Sequence, residues 1–322
     1  MYLRFAAAIS ALAAAAAGIV VAVLLVRSVP GPTNTSTATT PAAAAAPSAP
    51  TAIAGGRIAT PGDPHFPSPP PGAIVLAQEA GTRALAIGVK PGLVRVSVLS
   101  PFGGGAAGLS VSVRPAGGRT LKAAACGAGC YQTRISHVPS ALTVLLAGDA
   151  YRFQLPPHTA PSAAAIVARA TDTWNALHTL VWHERLGSSP TNVLHTLYRA
   201  VAPHSLAYTI AGRSAAIIIG GTRWDRPSPT APWSSSPQDP ELRQPQPFWS
   251  GVTDARLLGT ERFHGRPVWR VSFFDPKTPA WFVAKVDRAN GNTLALDMIA
   301  ASHFMHDVYG PFDAPIRLRP PA

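Results

Sequence analysis

Three hydrophobic patterns follow one another along the chain, and the first is an unbroken apolar run. Residues 5–26 carry no charge and lie between Arg4 and Arg27. An apolar helix of about 20 residues spans the ~30 Å hydrocarbon core of a bilayer. We therefore expect residues 1–27 to form a single transmembrane helix that anchors the chain, with a cleaved signal peptide as the alternative.

The second pattern is the lack of hydrophobic periodicity in residues 28–73. This stretch is rich in Pro, Ala and Thr, and Arg57 and Asp63 are its only charged residues. Such a composition has too little apolar bulk to form a folded core. We expect a disordered linker that acts as a stalk between the anchor and the folded remainder.

The third pattern is a two-residue alternation that begins near residue 74. Val94, Val96 and Val98 alternate with Arg95, as in a strand that buries one face. Several short runs of this kind are separated by Pro-Gly and Gly-Gly breaks. They predict a small β-sandwich of immunoglobulin-like type over residues 74–158.

A second folded region is predicted over residues 162–320, and it begins with a helix. Residues 162–180 follow a proline, and Ser162 can cap the helix N-terminus. A long succession of β-patterned segments comes next and predicts an antiparallel meander, so the fold class is mainly β. The apolar stripe of the helix consists of Ile166, Ala170, Trp174 and Leu177.

Turn residues separate the strands of this second region. Asn290-Gly291 predicts a type I′ hairpin, and His264-Gly265 predicts the hairpin before it. The Pro-rich residues 227–250 predict a surface loop that could act as a gate.

Two segments carry a family resemblance. ARLLGTERFHGRPVWRVSFFD (255–275) gives a strand, a glycine turn and a second strand, and FVAKVDRANGNTLALDM (282–298) gives the hairpin that follows. This pattern resembles the LolA-like superfamily of bacterial lipoprotein carriers, mycobacterial lipoproteins and sigma-factor regulators, over about residues 165–318. The resemblance implies a curved antiparallel sheet, or half-barrel, with a helix over its concave face. In many members that face encloses an apolar cavity for acyl chains.

Strand parity selects a candidate ligand-binding face in this region. Alternate residues of three successive strands share one side and could line an apolar cavity. The alternative is that the same residues form an ordinary core against the helix, because a sheet needs a core with or without a ligand. The candidates are Trp269, Val271, Phe273, Phe282, Val286, Leu294, Leu296 and Met298.

The charge of the chain bears on its partners. The formal net charge is +12, but only 13% of residues are charged and the cations form no run. Nucleic-acid binding needs a concentrated basic stripe, so we expect no nucleic-acid partner. A mildly basic surface suits anionic lipid or a cell-wall polymer instead.

The two cysteines of the chain, Cys126 and Cys130, lie four residues apart in CGAGC. This spacing favours a small disulfide loop formed in an oxidising compartment. The alternative is a two-thiol metal or redox site.

The segment SHFMHDVY (302–309) contains side chains that copper and zinc favour, namely His303, Met305 and His306. In a strand, His303 and Met305 share one face and His306 lies on the other, so one ion reaches all three only across a bulge. Residues 74–156 also faintly resemble the periplasmic β-domains found with bacterial copper-resistance membrane proteins. A copper-homeostasis accessory role at the envelope is therefore the alternative function.

The sequence contains none of the common catalytic motifs that we considered. The sequence contains no G-x-S-x-G elbow, H-E-x-x-H or phosphate loop, and His183 and Glu184 fall on opposite faces of a strand. We expect a non-catalytic protein without a cofactor. The bulk of the chain would lie outside the cytoplasm, held at the cell membrane by one span, and would bind or sense a lipophilic ligand or an envelope protein partner.

Overall fold

The computed structural model describes residues 66–156 and 160–321, which lie in one compact unit. This part of the chain is mainly β, with antiparallel sheets and one helix. The predicted anchor and residues 28–65 of the predicted linker lie outside the described residues. Residues 66–73, the end of that linker, pack on the folded part, where Phe66 and Ala73 are buried. Among the described residues, no helix is both long and apolar enough to span a bilayer.

Nine strands precede the helix. They are β1 (Ile74–Ala80), β2 (Arg83–Lys90), β3 (Leu93–Leu99), β4 (Val111–Pro115), β5 (Leu121–Lys122), β6 (Ala124–Gly127), β7 (Cys130–Thr133), β8 (Ala141–Leu146) and β9 (Asp149–Gln154). The five-stranded sheet has the order β1-β2-β3-β7-β6, and the four-stranded sheet has the order β5-β4-β8-β9. One apolar core lies between them and includes Leu85, Val96, Val113 and Val144. We call this the two-sheet region; its relation to immunoglobulin folds stays a prediction.

A disulfide joins Cys126 in β6 to Cys130 at the start of β7, with the two Cα atoms 5.0 Å apart. The disulfide prediction is confirmed. Because both sulfur atoms are bonded to each other, the alternative of a two-thiol metal site is wrong.

The helix α1 spans Ala164–Asn175, so the prediction of residues 162–180 was too long. Its C-terminal end is set by Asp313, whose carboxylate accepts hydrogen bonds from the backbone N–H groups of His178 (2.7 Å) and Thr179 (3.2 Å). These contacts draw the chain out of the helix and into the next strand.

The buried stripe of α1 also differs from the predicted one. Val167, Ala170 and Trp174 are buried, Ile166 is half-buried, and Leu177 is buried beyond the end of the helix. The N-cap position is Ala163, one residue later than predicted, and it has no side-chain acceptor. Ser162 still contributes at this end of the helix, because its hydroxyl accepts the backbone N–H of Ala164 at 3.3 Å.

Eleven strands follow α1 and form one antiparallel sheet. They are β10 (Thr179–Ser189), β11 (Asn192–Val201), β12 (Ser205–Ile210), β13 (Ala215–Ile219), β14 (Thr222–Arg226), β15 (Ser234–Pro237), β16 (Thr253–Phe263), β17 (Arg266–Asp275), β18 (Ala280–Asp287), β19 (Thr293–Ala300) and β20 (His303–Phe312). The order is β15-β14-β13-β12-β11-β10-β20-β19-β18-β17-β16. This sheet and its helix are consistent with the half-barrel that the family resemblance implies.

The strand order makes residues 238–252 a bridge between the two edges of the sheet. They connect β15, which is one edge, to β16, which is the other. Phe248 and Trp249 in this segment are buried. The Pro-rich stretch is therefore a loop, as predicted, except that residues 234–237 form an edge strand. We call residues 238–252 the crossing segment.

The two predicted turns differ in outcome. His264-Gly265 joins β16 to β17 as a two-residue hairpin, as predicted. Asn290-Gly291 lies in a five-residue loop, because β18 ends at Asp287 and β19 begins at Thr293. The Asp287 carboxylate accepts the N–H of Ala289 at 2.7 Å and holds this longer loop.

The two-sheet region packs on one face of the large sheet through an aromatic cluster. Phe66 stacks on Phe274 and Trp281, with ring centroids 6.0 and 6.2 Å apart. The other buried members are Val75, Ala84, Ala86, Leu99 and Phe304. We call this face of the sheet the outer face, and the face toward α1 the inner face.

Candidate functional site

The strand register places seven of the eight apolar candidates on the inner face, and Leu294 lies at a register shift where Val286 pairs with Thr293. The register aligns Phe273 with Phe282 and then with Met298, and Trp269 with Val286. Seven of the eight are buried and Trp269 is partly exposed. Their role as a ligand-binding surface stays a prediction, since a buried face serves a core equally well.

The inner face is covered by α1 and the crossing segment. Trp174 of α1 meets Trp249 edge-on at 5.5 Å. Trp249 in turn meets Phe273 at 5.4 Å and Phe282 at 6.2 Å. Its indole N–H donates to Thr171 Oγ1 at 2.8 Å, which ties the crossing segment to the helix. Only one helix and one loop therefore separate the apolar candidates from solvent on this side.

The other half of the inner face is aromatic and polar. Cross-strand pairing places Tyr208, Tyr198, Trp182 and Tyr309 in one row across β12, β11, β10 and β20. Trp182 stacks on Tyr198 with centroids 4.5 Å apart, and Trp174 meets Tyr309 edge-on at 4.8 Å. Such rings combine apolar area with a hydroxyl or N–H that needs a partner when it is buried.

Two buried carboxyl groups lie on the strands β10 and β20 beside this row. Glu184 and Asp307 are direct cross-strand partners, only 3% and 0% exposed. Glu184 Oε1 accepts the Tyr198 hydroxyl at 3.2 Å, and Asp307 Oδ2 accepts the Tyr309 hydroxyl at 2.5 Å. No Lys or Arg forms an ion pair with either group within the described chain.

Burial changes the ionisation of this pair. Loss of solvation raises the pKa of Glu184 to about 7, although the Tyr198 hydrogen bond opposes the rise. Burial and repulsion from Glu184 hold the pKa of Asp307 well above its usual range. Burial therefore favours the protonated form of both carboxyl groups, and a protonated carboxyl group can donate a hydrogen bond.

Several polar atoms of the inner face have no partner in the described part of the chain. They are Glu184 Oε2, Asp307 Oδ1, Trp182 Nε1 and Trp174 Nε1. A buried polar atom without a partner costs about 1–3 kcal/mol. Such atoms are satisfied by a bound molecule or by water that carries both donors and acceptors.

A third polar element is Arg223, which is 5% exposed. Its guanidinium donates twice to Asp225, at 2.6 Å each, and once to the Tyr208 hydroxyl at 2.8 Å. Because this cation is fully paired, it fixes the end of the aromatic row and is not a free binding group.

The predicted metal ligands are divided between the two faces. Met305 pairs across the strands with Met298 on the inner face, whereas His306 lies on the outer face and bonds Asp297 at 2.6 Å. Burial lowers the pKa of His303. In residues 66–156 and 160–321, no group of three or more His, Cys, Asp and Glu side chains could hold a metal ion. The copper alternative stays a prediction.

The carboxyl pair is what sequence reasoning missed. Glu184 shares parity with Trp182 and Leu186, which marked it as inward-facing, and Asp307 shares parity with Met305 and Tyr309. An acidic residue between two apolar residues of the same parity is the signal that could have found each one. Their pairing depends on β10 lying next to β20, which the order of segments does not reveal.

The chemistry of the inner face follows from its two halves. The apolar half offers area for a hydrocarbon chain, and the polar half offers a hydrogen-bond donor and acceptors for a head group. The carboxyl pair is nearly without solvent contact, so it lacks the water access that hydrolysis would require.

Comparisons with solved structures give matches at low sequence identity. The fold is similar to LprF from Mycobacterium bovis (11% identity, 51% of this chain, 99% of that chain, TM-score 0.40). It is also similar to the lipoprotein LppX of Mycobacterium tuberculosis (12%, 48% and 97%, TM-score 0.35) and to a LolA superfamily protein from Nitrosomonas europaea (11%, 50% and 96%, TM-score 0.24). No family model and no curated protein matches the sequence. The likeness to these structures concerns the fold and covers about half of this chain.

Proposed function

We propose that this protein binds an amphiphilic, lipophilic ligand on the inner face of the large sheet and does not catalyse a reaction. The observation that carries the proposal is the division of that face. A continuous apolar surface lies beside a buried polar group with unpartnered oxygen and nitrogen atoms. The polar half of the face is not explained by an ordinary core, because unpartnered polar atoms destabilise a core.

The cover over the face suits entry of a ligand. Trp249 reaches the apolar rows from the crossing segment, which has no helix or strand of its own over residues 238–252. A segment without regular backbone pairing opens at lower free energy than a strand in the sheet. A ligand that displaces the Trp249 ring would itself make the contacts with Phe273 and Phe282 that the ring makes in this structure.

We place the protein at the cell membrane, with the folded part outside the cytoplasm. Residues 5–26 support a membrane span by their length and lack of charge. The Cys126–Cys130 disulfide supports an oxidising compartment for the folded part. An envelope protein partner is the alternative occupant of the same face.

The test is native mass spectrometry on the full chain, purified gently from its own membrane without chelator. We expect a co-purifying mass of several hundred daltons that extracts into organic solvent. In Trp249→Ala we expect the ligand-bound fraction to rise, because the ligand no longer has to displace the ring that covers Phe273 and Phe282. Trp233→Ala is the matched control, because Trp233 lies in the same Pro-rich stretch but stacks on Arg226 at 4.9 Å, away from the inner face.

Each outcome bears on the proposal. A bare protein mass in every preparation, with no binding of added fatty acid, would overturn it and favour a protein partner. An equal change of bound mass in both tryptophan variants would also count against the inner face. A thermal melt of each variant separates loss of the ligand from loss of the fold.

A further inference from the structure

A cleft of about 390 Å³ opens between the two-sheet region and the outer face of the large sheet. It is distinct from the inner face, since the sheet itself lies between them. One wall comes from β1 and β9, and the other comes from β10, β17, β18, β19 and β20. Its apolar lining includes Leu76, Phe153, Val283, Ile299 and Phe304.

The polar lining of the cleft has an excess of cations. It contains Arg152, Arg185 and Arg270 against Glu79 and Asp297. Arg185 lies 3.9 Å from Glu79, and Asp297 is occupied by His306 at 2.6 Å. In the described chain the side chains of Arg152 and Arg270 have neither a hydrogen bond nor an ion pair. Two guanidinium groups are therefore left without a counter-charge in one cleft.

The strand register places some of these cations next to one another, so the excess of positive charge destabilises the fold when no anion is bound. Arg270 lies directly opposite Lys285 on the neighbouring strand, and like charges in that position destabilise a sheet. Lys285 is compensated by Glu261 at 2.8 Å and by the Phe263 ring at 4.6 Å, whereas Arg270 is not. Arg185 also lies directly opposite His306. An anion in the cleft would remove this repulsion.

We infer that the cleft binds the phosphate group of a small ligand, with Arg152 and Arg270 as its contacts. A guanidinium donates two parallel hydrogen bonds to phosphate oxygens, and a phosphate has enough oxygens for two such forks. The apolar wall around Ile299 and Phe304 gives room for an organic group attached to that phosphate. The phosphate could belong to a lipid head group or to a soluble phosphate, and the two sources share this recognition chemistry.

The test is isothermal titration calorimetry on the full chain with two probes, inorganic phosphate and dihexanoylphosphatidylglycerol below its micelle concentration. The variant Arg152→Gln/Arg270→Gln should weaken binding of at least one probe by about tenfold or more. The control Arg119→Gln/Arg213→Gln removes the same charge at exposed turn positions outside the cleft and should leave binding nearly unchanged. Arg152→Gln alone, at an exposed side chain, gives a second variant that tests the cleft should the double variant fold poorly.

The two probes distinguish the sources. A cleft-specific loss for inorganic phosphate indicates a site for the phosphate group itself, and a loss for the lipid alone indicates that acyl contacts contribute. Absence of binding of both probes by the unaltered chain overturns the inference. Equal weakening in the cleft variant and the control also overturns it, because a general surface charge would then explain the binding. Neither result depends on the ligand of the inner face.

Discussion

Glu184 shows how one inward-facing residue can make the stability of the whole sheet depend on pH. Its pKa is raised to about 7 by burial, above its ordinary value. A carboxyl group that holds its proton more tightly in the folded state contributes stability that is fully present below its unfolded pKa. That contribution is lost as pH rises through about 7.

We predict that Glu184→Gln removes much of this loss. The free energy of unfolding of the unaltered chain should fall between about pH 5 and pH 8, and the variant should exceed it at pH 8 by on the order of 2 kcal/mol. Urea denaturation at several pH values measures both curves. Glu241→Gln, at a half-exposed side chain, is the control. If Glu184→Gln left the pH dependence of the free energy of unfolding unchanged, Glu184 would not be its source.

His306 gives the second residue-scale prediction. The hydrogen bond with Asp297 raises its pKa, and this effect outweighs burial and repulsion from Lys285 and Arg185. The pair therefore stabilises the fold fully below the unfolded pKa of His306, and this contribution disappears as pH rises through the raised value. NMR titration of His306 should give a lower pKa in Asp297→Asn than in the unaltered chain, with Asp239→Asn as the exposed control. A pKa that stays raised in Asp297→Asn would show that Asp297 is not its cause.

At this scale, strand parity in the sequence predicted which residues share a face but not which residues meet. The parity of Phe273, Phe282 and Met298 is a local property of each strand, and it was right. The contact between Glu184 and Asp307 joins positions 123 residues apart (307 − 184), and it exists because the first and last strands of the sheet are neighbours. Local patterns contain no information about that neighbour.

At the scale of elements, the loop between β18 and β19 is held in place by α1. Arg169 donates to the Ala289 carbonyl at 2.8 Å, and a Cβ added to Gly291 would lie 2.9 Å from Thr173 Oγ1. The Asn-Gly pair suggested a tight hairpin because both residues tolerate positive φ. The structure adds a second reason for a glycine at this position, because α1 lies so close to the loop that it leaves little room for a side chain.

Two glycine substitutions separate these effects. Gly291 and Gly92 both have φ of +84°, but a Cβ at Gly92 would meet nothing within 4 Å. Alanine should cost about 1–2 kcal/mol at either position because of the left-handed backbone. Gly291→Ala should cost more than Gly92→Ala in chemical denaturation, since it also pushes the loop from the helix. Equal costs would contradict a packing role for this loop.

At the scale of the whole molecule, the two folded regions share a buried aromatic contact. Phe66, from the end of the predicted linker, inserts between the regions and is 5% exposed. The sequence predicted both regions but not this contact, because the family resemblance covers only one of them. The linker prediction came from composition, and a single aromatic residue among prolines does not change that composition.

We predict that Phe66→Ala lowers the free energy of unfolding by about 3 kcal/mol, the cost of removing a buried phenyl ring. Phe102→Ala is the matched control, because Phe102 is 77% exposed and its loss should cost less than about 0.5 kcal/mol. Guanidinium denaturation measures both. If the two regions unfold separately in Phe66→Ala but together in the unaltered chain, the contact couples them. A Phe66→Ala cost as small as that of Phe102→Ala would contradict its role.

The central pairing of β10 with β20 has a consequence for the order of events during synthesis. Strand β20, which lies next to the middle strand β10, is the last strand of this sheet to be synthesised. Until residues 303–312 are available, β10 and β19 are two unpaired edges, and each can template pairing with another chain. Closure across so long a sequence separation is slow, so this interval is extended. The nascent protein therefore depends on being kept apart from its copies until its final strand joins the two halves.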